Sequence, residues 1–338
     1  MKLALVYKNL KASNANISHT GLGVTAENTR LSLTAKGIYA ETWAVIDGYH
    51  LQQILAKRPD ITHVDLLAPW MDSAFMDRGL VRRFPKVHFA LTSHSNVGFL
   101  QADTWAVKII REGLALQHKY PNFVISGNCI KFCNWVKAAY GFDIVCLPNL
   151  YYLDIIAPPK RPLFTKGTLK LGIFGATRVQ KNMMSAAAAA LVLSRLTAAD
   201  HTEIWVSSGR TEGGAGVMAS VLAMVSNIPR VKIVESGWLT WLDFRVLCGQ
   251  MHLMLQPSYT ESFNNVTADG IYMGTPSVVS NAIDWVPDYW QAHADDPVHI
   301  ARTGLDLLRN PKAPADGFKA LQHHNALALP AWLSFLQR

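Results

Sequence analysis

The sequence predicts an α/β protein built from two doubly wound domains. Three observations carry that expectation. Short Leu-rich or β-branched runs, such as residues 3–7, 61–67 and 169–174, read as strands covered on both faces, and they alternate with longer stretches of helical periodicity. The 338 residues are long for one domain and suit two. Between the halves, residues 156–167, IAPPKRPLFTKG, are proline-rich and read as a linker, placing the boundary near 155–168.

Composition narrows the class further. Half of the residues are hydrophobic and 17% are charged, which marks a folded globular chain and excludes a disordered one. No apolar run approaches the length of about 18 to 20 residues that a membrane span needs, the alanines of 186–190 included. The opening MKLALVYKNL reads as a first strand and not as a signal peptide. The four cysteines lack paired C-x-x-C spacing, so they are expected as buried free thiols, without a zinc site, in a cytoplasmic protein. The pair His323-His324 reads as solvated surface. A net charge of +8 suits an anionic substrate, a polyanionic partner, an anionic membrane or solubility alone, and its dispersal, with no run of five like charges, does not choose among them.

In chain order, strand 3–7 is followed by a polar loop ending in Gly21 and Gly23, then a helix over about 24–36 stopped by Gly37. Glycines here let a loop approach a ligand closely. A strand at 41–46, a helix at 49–57 and a strand at 61–67 follow. After the loop APWMDSAF, strand 87–92 ends in SHSN. His94 thus stands at a strand's carboxyl end, where it is either a ligand group or the cap of the next turn. Helix 101–119, strand 123–128, helix 129–140 and strand 143–147 complete the first half.

The second half opens with strand 169–174 and the turn GATRVQKN. Arg178 and Lys181, three apart after a glycine, are placed to reach one point and to neutralise a diphosphate, or else are two solvated charges. An alanine-rich helix at 183–196 reads as tightly packed core. The loop SSGRTEGGAG at 207–216 lacks a G-x-G-x-x-G spacing and is given no role. Strand 231–234, helix 241–249 and strand 251–255 lead to QPSYTESFNNVTADGIYMGTPSVVS. Glu261 lies in the loop and Asp269 on the helix that begins near Asn264, whose N-terminus suits a phosphate. Two carboxylates beside an anion site fit a ligand that also carries hydroxyls, as a sugar nucleotide does. Strand 277–280, helices at 297–309 and 315–328 and a last amphipathic piece at 332–336 end the chain.

This final motif resembles the acidic signature of GT-B glycosyltransferases of the family 4 type: an acid, seven residues, a second acid, then Gly-x-Pro. Glu261, Phe263, Gly274 and Pro276 match, and Asp269 stands where the family has Glu. The resemblance implies a GT-B fold: residues 1–158 form an acceptor-side Rossmann-like domain, 159–325 a nucleotide-sugar domain, the two facing a central cleft, and 326–338 a helix crossing back to the first. It further implies transfer of a sugar from a nucleoside-diphosphate sugar with retention, and since no Asp-x-Asp pair follows a strand, no metal or other cofactor is expected. In this frame His94 and Glu261 are the catalytic residues. Glu261 faces the sugar hydroxyls, Asp269 the ribose, Trp238 and Leu239 the nucleobase, and Arg178, Lys181 and the backbone of Phe263, Asn264 and Asn265 the diphosphate; Gly21 and Gly23 approach the phosphates and the acceptor.

The acceptor is open between a glycan, a lipid at a membrane surface, and a modified base in DNA, as in a phage-type enzyme in the host cytoplasm. Aromatics interleaved with cations at Arg82, Arg83, Phe84, Lys86 and His88, and at Lys131, Phe132, Trp135 and Lys137, are either base-stacking groups or core residues with a basic rim. A sugar-nucleotide epimerase and a non-catalytic sugar-nucleotide-binding protein are the competing readings.

Overall fold

A computed structural model describes residues 1–8, 21–197 and 199–338 of the chain. No helix among them is long and apolar enough to cross a membrane. The chain divides into two compact units, residues 1–152 with 324–338 and residues 153–323.

The first unit runs β1 (Lys2–Lys8), α1 (Gly21–Thr34), β2 (Tyr39–Val45), α2 (Gly48–Lys57), β3 (His63–Leu67), a short α3 (Ser73–Phe75) continued by a π-helical turn (Met76–Val81), β4 (His88–Ser93), α4 (Val97–Leu100), α5 (Thr104–Lys119), β5 (Phe123–Gly127), α6 (Ile130–Tyr140) and β6 (Val145–Cys146). Every pairing is parallel, in the order β2-β1-β3-β4-β5-β6. The period of two along the strands decides which side chain meets which layer. Val64, Leu66, Phe89, Leu91, Phe123 and Ile125 join one buried cluster, whereas Leu67, Ala90 and Val124 join the other. Each such Val, Leu, Ile or Phe side chain contributes roughly 1.5–3 kcal/mol by leaving water.

Local sequence explains the helices. In α5, Ala106, Ile109, Ile110, Gly113 and Leu114 recur at helical spacing and are buried. Asp103 caps its start by accepting from the Ala106 N–H at 2.9 Å, and Pro121 follows its end. That cap starts α5 at Thr104, within the helix expected over 101–119, and the short α4 lies before that range. The helix expected at 24–36 begins earlier, so Gly21 and Gly23 form the first turn of α1 and not a loop. Residues 9–20, most of the polar loop ahead of it, lie outside the described residues. The strand expected over 143–147 shrinks to β6, the edge strand.

The second unit contains β7 (Gly167–Ile173), a 3-10 turn (Val179–Lys181), α7 (Met183–Leu196), β8 (Ala199–Val206), α8 (Ala215–Val225), β9 (Val231–Glu235), α9 (Trp241–Gln250), β10 (Leu253–Gln256), α10 (Asn265–Tyr272), β11 (Ser277–Val279) and α11 (Pro297–Arg309). Its sheet is parallel in the order β11-β10-β7-β8-β9. Ala186, Ala187, Ala189 and Ala190 of α7 are fully buried, as expected of a helix whose small face allows close packing.

The last helix, α12 (Ala313–Leu336), is continuous through Pro330, where a break between 328 and 332 was expected. Proline removes one hydrogen bond and kinks a helix, but burial of Trp332, Phe335 and Leu336 in the first unit's core holds the final turns. The Trp332 indole donates to the Pro148 carbonyl at 2.8 Å. His324, expected at the surface, is half-buried, with Nε2 2.9 Å from the Asn149 carbonyl.

Candidate functional site

In the second unit the crossovers diverge from β7, with β8 on one side and β10 on the other. In an open parallel sheet the carboxyl ends of such a strand pair form the natural ligand crevice. At that point Lys181 Nζ stands 2.6 Å from Glu261 Oε1, with the two side chains 9% and 10% exposed.

Two asparagines in left-handed backbone make this contact possible. Asn182, at φ +53°, ends the turn that carries Arg178 and Lys181. Its amide donates to the carbonyls of Pro257 (3.0 Å) and Ala294 (2.5 Å), pinning the turn to the loop after β10. The Tyr259 N–H adds a bond to the Gln180 carbonyl at 2.9 Å. Asn264, at φ +73°, caps α10 by accepting from the Thr267 N–H at 2.8 Å. Its amide donates to Glu261 Oε1 at 3.0 Å and to Gln256 Oε1 at 3.3 Å. Asparagine tolerates this backbone region better than most residues, and here each amide also locks a loop.

Arg178 is held separately. Its Nη1 lies 3.0 Å from Glu212 Oε2, and Glu212 also pairs with Arg210. Arg210 in turn stands over the Trp238 ring, 5.2 Å from its centroid. The loop 207–216, given no role from sequence, is therefore part of the site. It bonds to the Arg178 turn through Thr177 N–H to Arg210 O (2.9 Å) and Glu212 N–H to Thr177 O (2.8 Å). A Cβ on Gly214 would fall 2.7 Å from Arg178 Cα and 2.8 Å from Thr177 O, so only glycine lets the loop lie this close. The signal for this was the glycine pair 213–214, whose use lies in backbone contact and not in phosphate spacing.

Arg178, Lys181 and Arg210 against Glu212 and Glu261 leave one net positive charge in the cluster. Burial raises the Glu261 carboxyl, but the Lys181 and Arg178 charges outweigh it and hold the group below the usual carboxylate range. Burial and Arg178 pull the Lys181 ammonium down against the opposing pull of Glu261. With Glu261 ionised, an arriving anion meets cations and the N-terminus of α10.

The remaining predicted residues fall into place around this cluster. Phe263 is buried and stacks on Trp285, at 4.9 Å between centroids, and its carbonyl accepts from the Trp285 indole at 2.6 Å. Asn265 opens α10. Asp269 is 2% exposed and accepts from the Trp241 indole at 2.9 Å. Leu239 is half-buried against the cluster formed by Phe174, Leu247, Cys248, Met251 and Met254. Sequence reasoning missed Asn182, Arg210, Glu212, Trp241 and Trp285, all brought in by side-chain contacts with distant segments.

His94, Gly21 and Gly23 belong to the first unit. His94 follows β4 directly, and its Nδ1 lies 3.2 Å from the Asn128 amide, which can only donate, so Nε2 carries the proton. Burial pushes its imidazole down to about 4. The Asn128 amide also reaches Asn149 (3.1 Å), whose amide reaches Thr25 Oγ1 on α1 (3.4 Å). Gly21 and Gly23 open the same helix. Phe132 is fully buried, and Phe84 and Trp135 pack against the same core, so these aromatics serve the core. Among the described residues, no three His, Cys, Asp or Glu side chains gather as a metal site. The four cysteines are free thiols.

No family model and no curated protein matches the sequence. Solved structures do match, and they define the class of fold as that of the GT-B glycosyltransferases. Sucrose-phosphate synthase from Thermosynechococcus elongatus aligns over 99% of this chain and 99% of its own, with TM-score 0.71 and 14% identity. A UDP-forming α,α-trehalose-phosphate synthase from Burkholderia xenovorans aligns over 100% and 99%, with TM-score 0.63 and 11% identity. Anabaena Alr3699/HepE, solved in complex with UDP and glucose, aligns over 98% and 99%, with TM-score 0.63 and 10% identity. At such identities the likeness is one of fold.

Proposed function

We propose that the protein is a glycosyltransferase that moves a sugar from a nucleoside-diphosphate sugar, with UDP the first nucleotide to test, to an acceptor hydroxyl. The observation that carries this reading is the convergence of Arg178, Lys181 and Glu261 at the carboxyl ends of β7 and β10, beside the N-terminus of α10. Arg178, Lys181 and the α10 N–H groups take the diphosphate, supplying the charge that a metal supplies elsewhere. Glu261, ionised and held by Lys181 and Asn264, accepts from sugar hydroxyls. Trp238 and Arg210 offer a flat, cationic surface to the nucleobase. His94, held neutral by burial, is the group of the first unit assigned to the sugar or to the developing phosphate charge.

Asp269 acts through Trp241, which it fixes against α10. The resemblance of the acidic motif supports retention of anomeric configuration. A glycan or lipid hydroxyl is the favoured acceptor class, because the aromatics that a DNA-modifying enzyme would use for stacking at 84 and 132 lie in the core. The cytoplasm, at or away from a membrane surface, suits the free thiols.

The test is a thermal-shift screen of UDP, GDP, ADP and CMP without metal, followed by release of the nucleoside diphosphate from its sugars. A ligand that binds only the native state raises the melting temperature. A shift with turnover supports the reading. A shift without turnover assigns a non-catalytic nucleotide-sugar binder, and no shift with any nucleotide overturns the donor site.

A further inference from the structure

The second unit carries another cationic feature, at the opposite ends of its strands. His252 immediately precedes β10 and Pro276 immediately precedes β11, so the pocket they line opens at the amino ends of strands whose carboxyl ends hold Glu261. The room it offers to water-sized groups measures about 40 Å³. That is room for roughly the few oxygens of a carboxylate or phosphate head, since one water needs about 10–15 Å³ by this measure, and far too little for a nucleotide.

Arg161 lines the pocket. Its Nη1 donates to the carbonyl of Met251 at 2.6 Å and to the hydroxyl of Thr275, which uses both hydrogens of that nitrogen. Nε and Nη2 have no protein acceptor, and no carboxylate pairs with the guanidinium among the described residues. A half-buried guanidinium without a counter-charge is costly unless an anion supplies one. His252 adds a second donor. Its Nδ1 accepts from the Lys170 N–H at 3.0 Å, so the proton sits on Nε2. The influences that lower the His252 imidazole are burial and the cations Arg161 and Lys170, with no acid opposing them. For Arg161 burial alone acts. Among the described residues no carboxylate stands against Arg161 or His252.

The walls are apolar. Pro162, Leu163, Phe164, Leu307 and Pro311 surround the head site, and Leu163 is 42% exposed. Backbone shape supports the arrangement. Gly274 has φ +75°, and a Cβ there would lie 2.6 Å from the Pro159 carbonyl and 3.4 Å from Arg161 Cδ. Glycine therefore lets the 159–164 segment lie on the 274–276 turn and carries Arg161 into place.

We infer that this pocket binds a small amphipathic oxyanion, a carboxylate or phosphate head on Arg161 and His252 with a short apolar body over Phe164 and Leu307. The Nε and Nη2 hydrogens of Arg161 form the fork that two oxygens of either head accept. An occupied site fastens the 159–164 segment to the 274–276 turn. The inference does not depend on the donor site, which lies at the other end of the sheet.

Benzoate, inorganic phosphate, acetate and benzyl alcohol are the probes, titrated into the full chain by thermal shift and by isothermal calorimetry. Benzoate raises the melting temperature by about 2 °C or more, phosphate and acetate by less, and benzyl alcohol not at all. Arg161→Lys keeps the charge and loses the fork. Leu163→Asp, at an exposed rim position, opposes the anion without touching the core. Each weakens benzoate at least tenfold while UDP binding stays as in the wild type. No benzoate binding, or equal benzoate binding in the wild type and both variants, overturns the proposal.

Discussion

The two units place polar groups under their sheets' carboxyl ends in opposite ways. In the first, burial favours the neutral forms. Asp65 is 1% exposed and accepts from Thr92, whose hydroxyl also meets Ser126. Burial pushes the Asp65 carboxyl up to about 7. His94 is likewise driven to its neutral form. In the second unit each carboxylate faces a cation, Glu261 on Lys181 and Glu212 on Arg178, and the cations hold the Glu261 carboxyl below its usual range despite its burial. The same burial thus removes charge where no partner stands by and preserves it where one does.

The strongest way to break this contrast is to remove its central acid. Glu261→Ala should lower sugar transfer by about 10²–10³-fold, on the scale seen for loss of one preorganised group in an active site, with circular dichroism unchanged. Transfer at the wild-type rate would take Glu261 out of the chemistry. The pair itself can be measured in the same proteins. Lys181→Met or Glu261→Gln alone should cost about 3 kcal/mol by leaving one charge nearly buried and unpaired, and the double variant less than the sum. Additive losses would mean that the pair does not hold the site.

A change of comparable size tests the neutral side. The folded value of about 7 for Asp65 lies above the unfolded value of about 3.9. The native state therefore holds the proton longer. Stability from neutral Asp65 is full below about pH 4 and is lost as pH rises through about 7, by on the order of 4 kcal/mol. Asp65→Asn stays neutral, so urea unfolding at pH 5, 6, 7 and 8 should show the variant gaining on the wild type as pH rises. A constant difference would mean that Asp65 is ionised in the native state.

The smaller effects sharpen the division of labour. Arg178→Ala should weaken UDP about 10–100-fold, the value of a charge-assisted hydrogen bond, and calorimetry would show unaltered affinity if Arg178 served only Glu212. Trp241→Phe removes one donor from buried Asp269 and should cost about 1–2 kcal/mol of stability, measured by urea unfolding. Loss of UDP affinity without loss of stability would instead put Asp269 in direct contact with the ligand.

Much of the fold was legible in the sequence. Alternating apolar runs marked nearly every strand, and the helices at 183–196 and 297–309 were expected with the ends observed, because periodicity and breakers act over a few residues. Boundaries failed where a distant contact overrode the local signal, as at Pro330, which buried Trp332 and Phe335 carry through. In the site, the sequence by itself determined the residue types and their order: a cation pair three apart, an acid pair eight positions apart, and a glycine-proline turn. Only the tertiary structure decided the pairings. It set Lys181 on Glu261 across 80 positions and Arg178 on Glu212 across 34, and it turned Asp269 toward Trp241. Charge pairing and burial are properties of neighbours in space, and chain order specifies neighbours only within a turn or two.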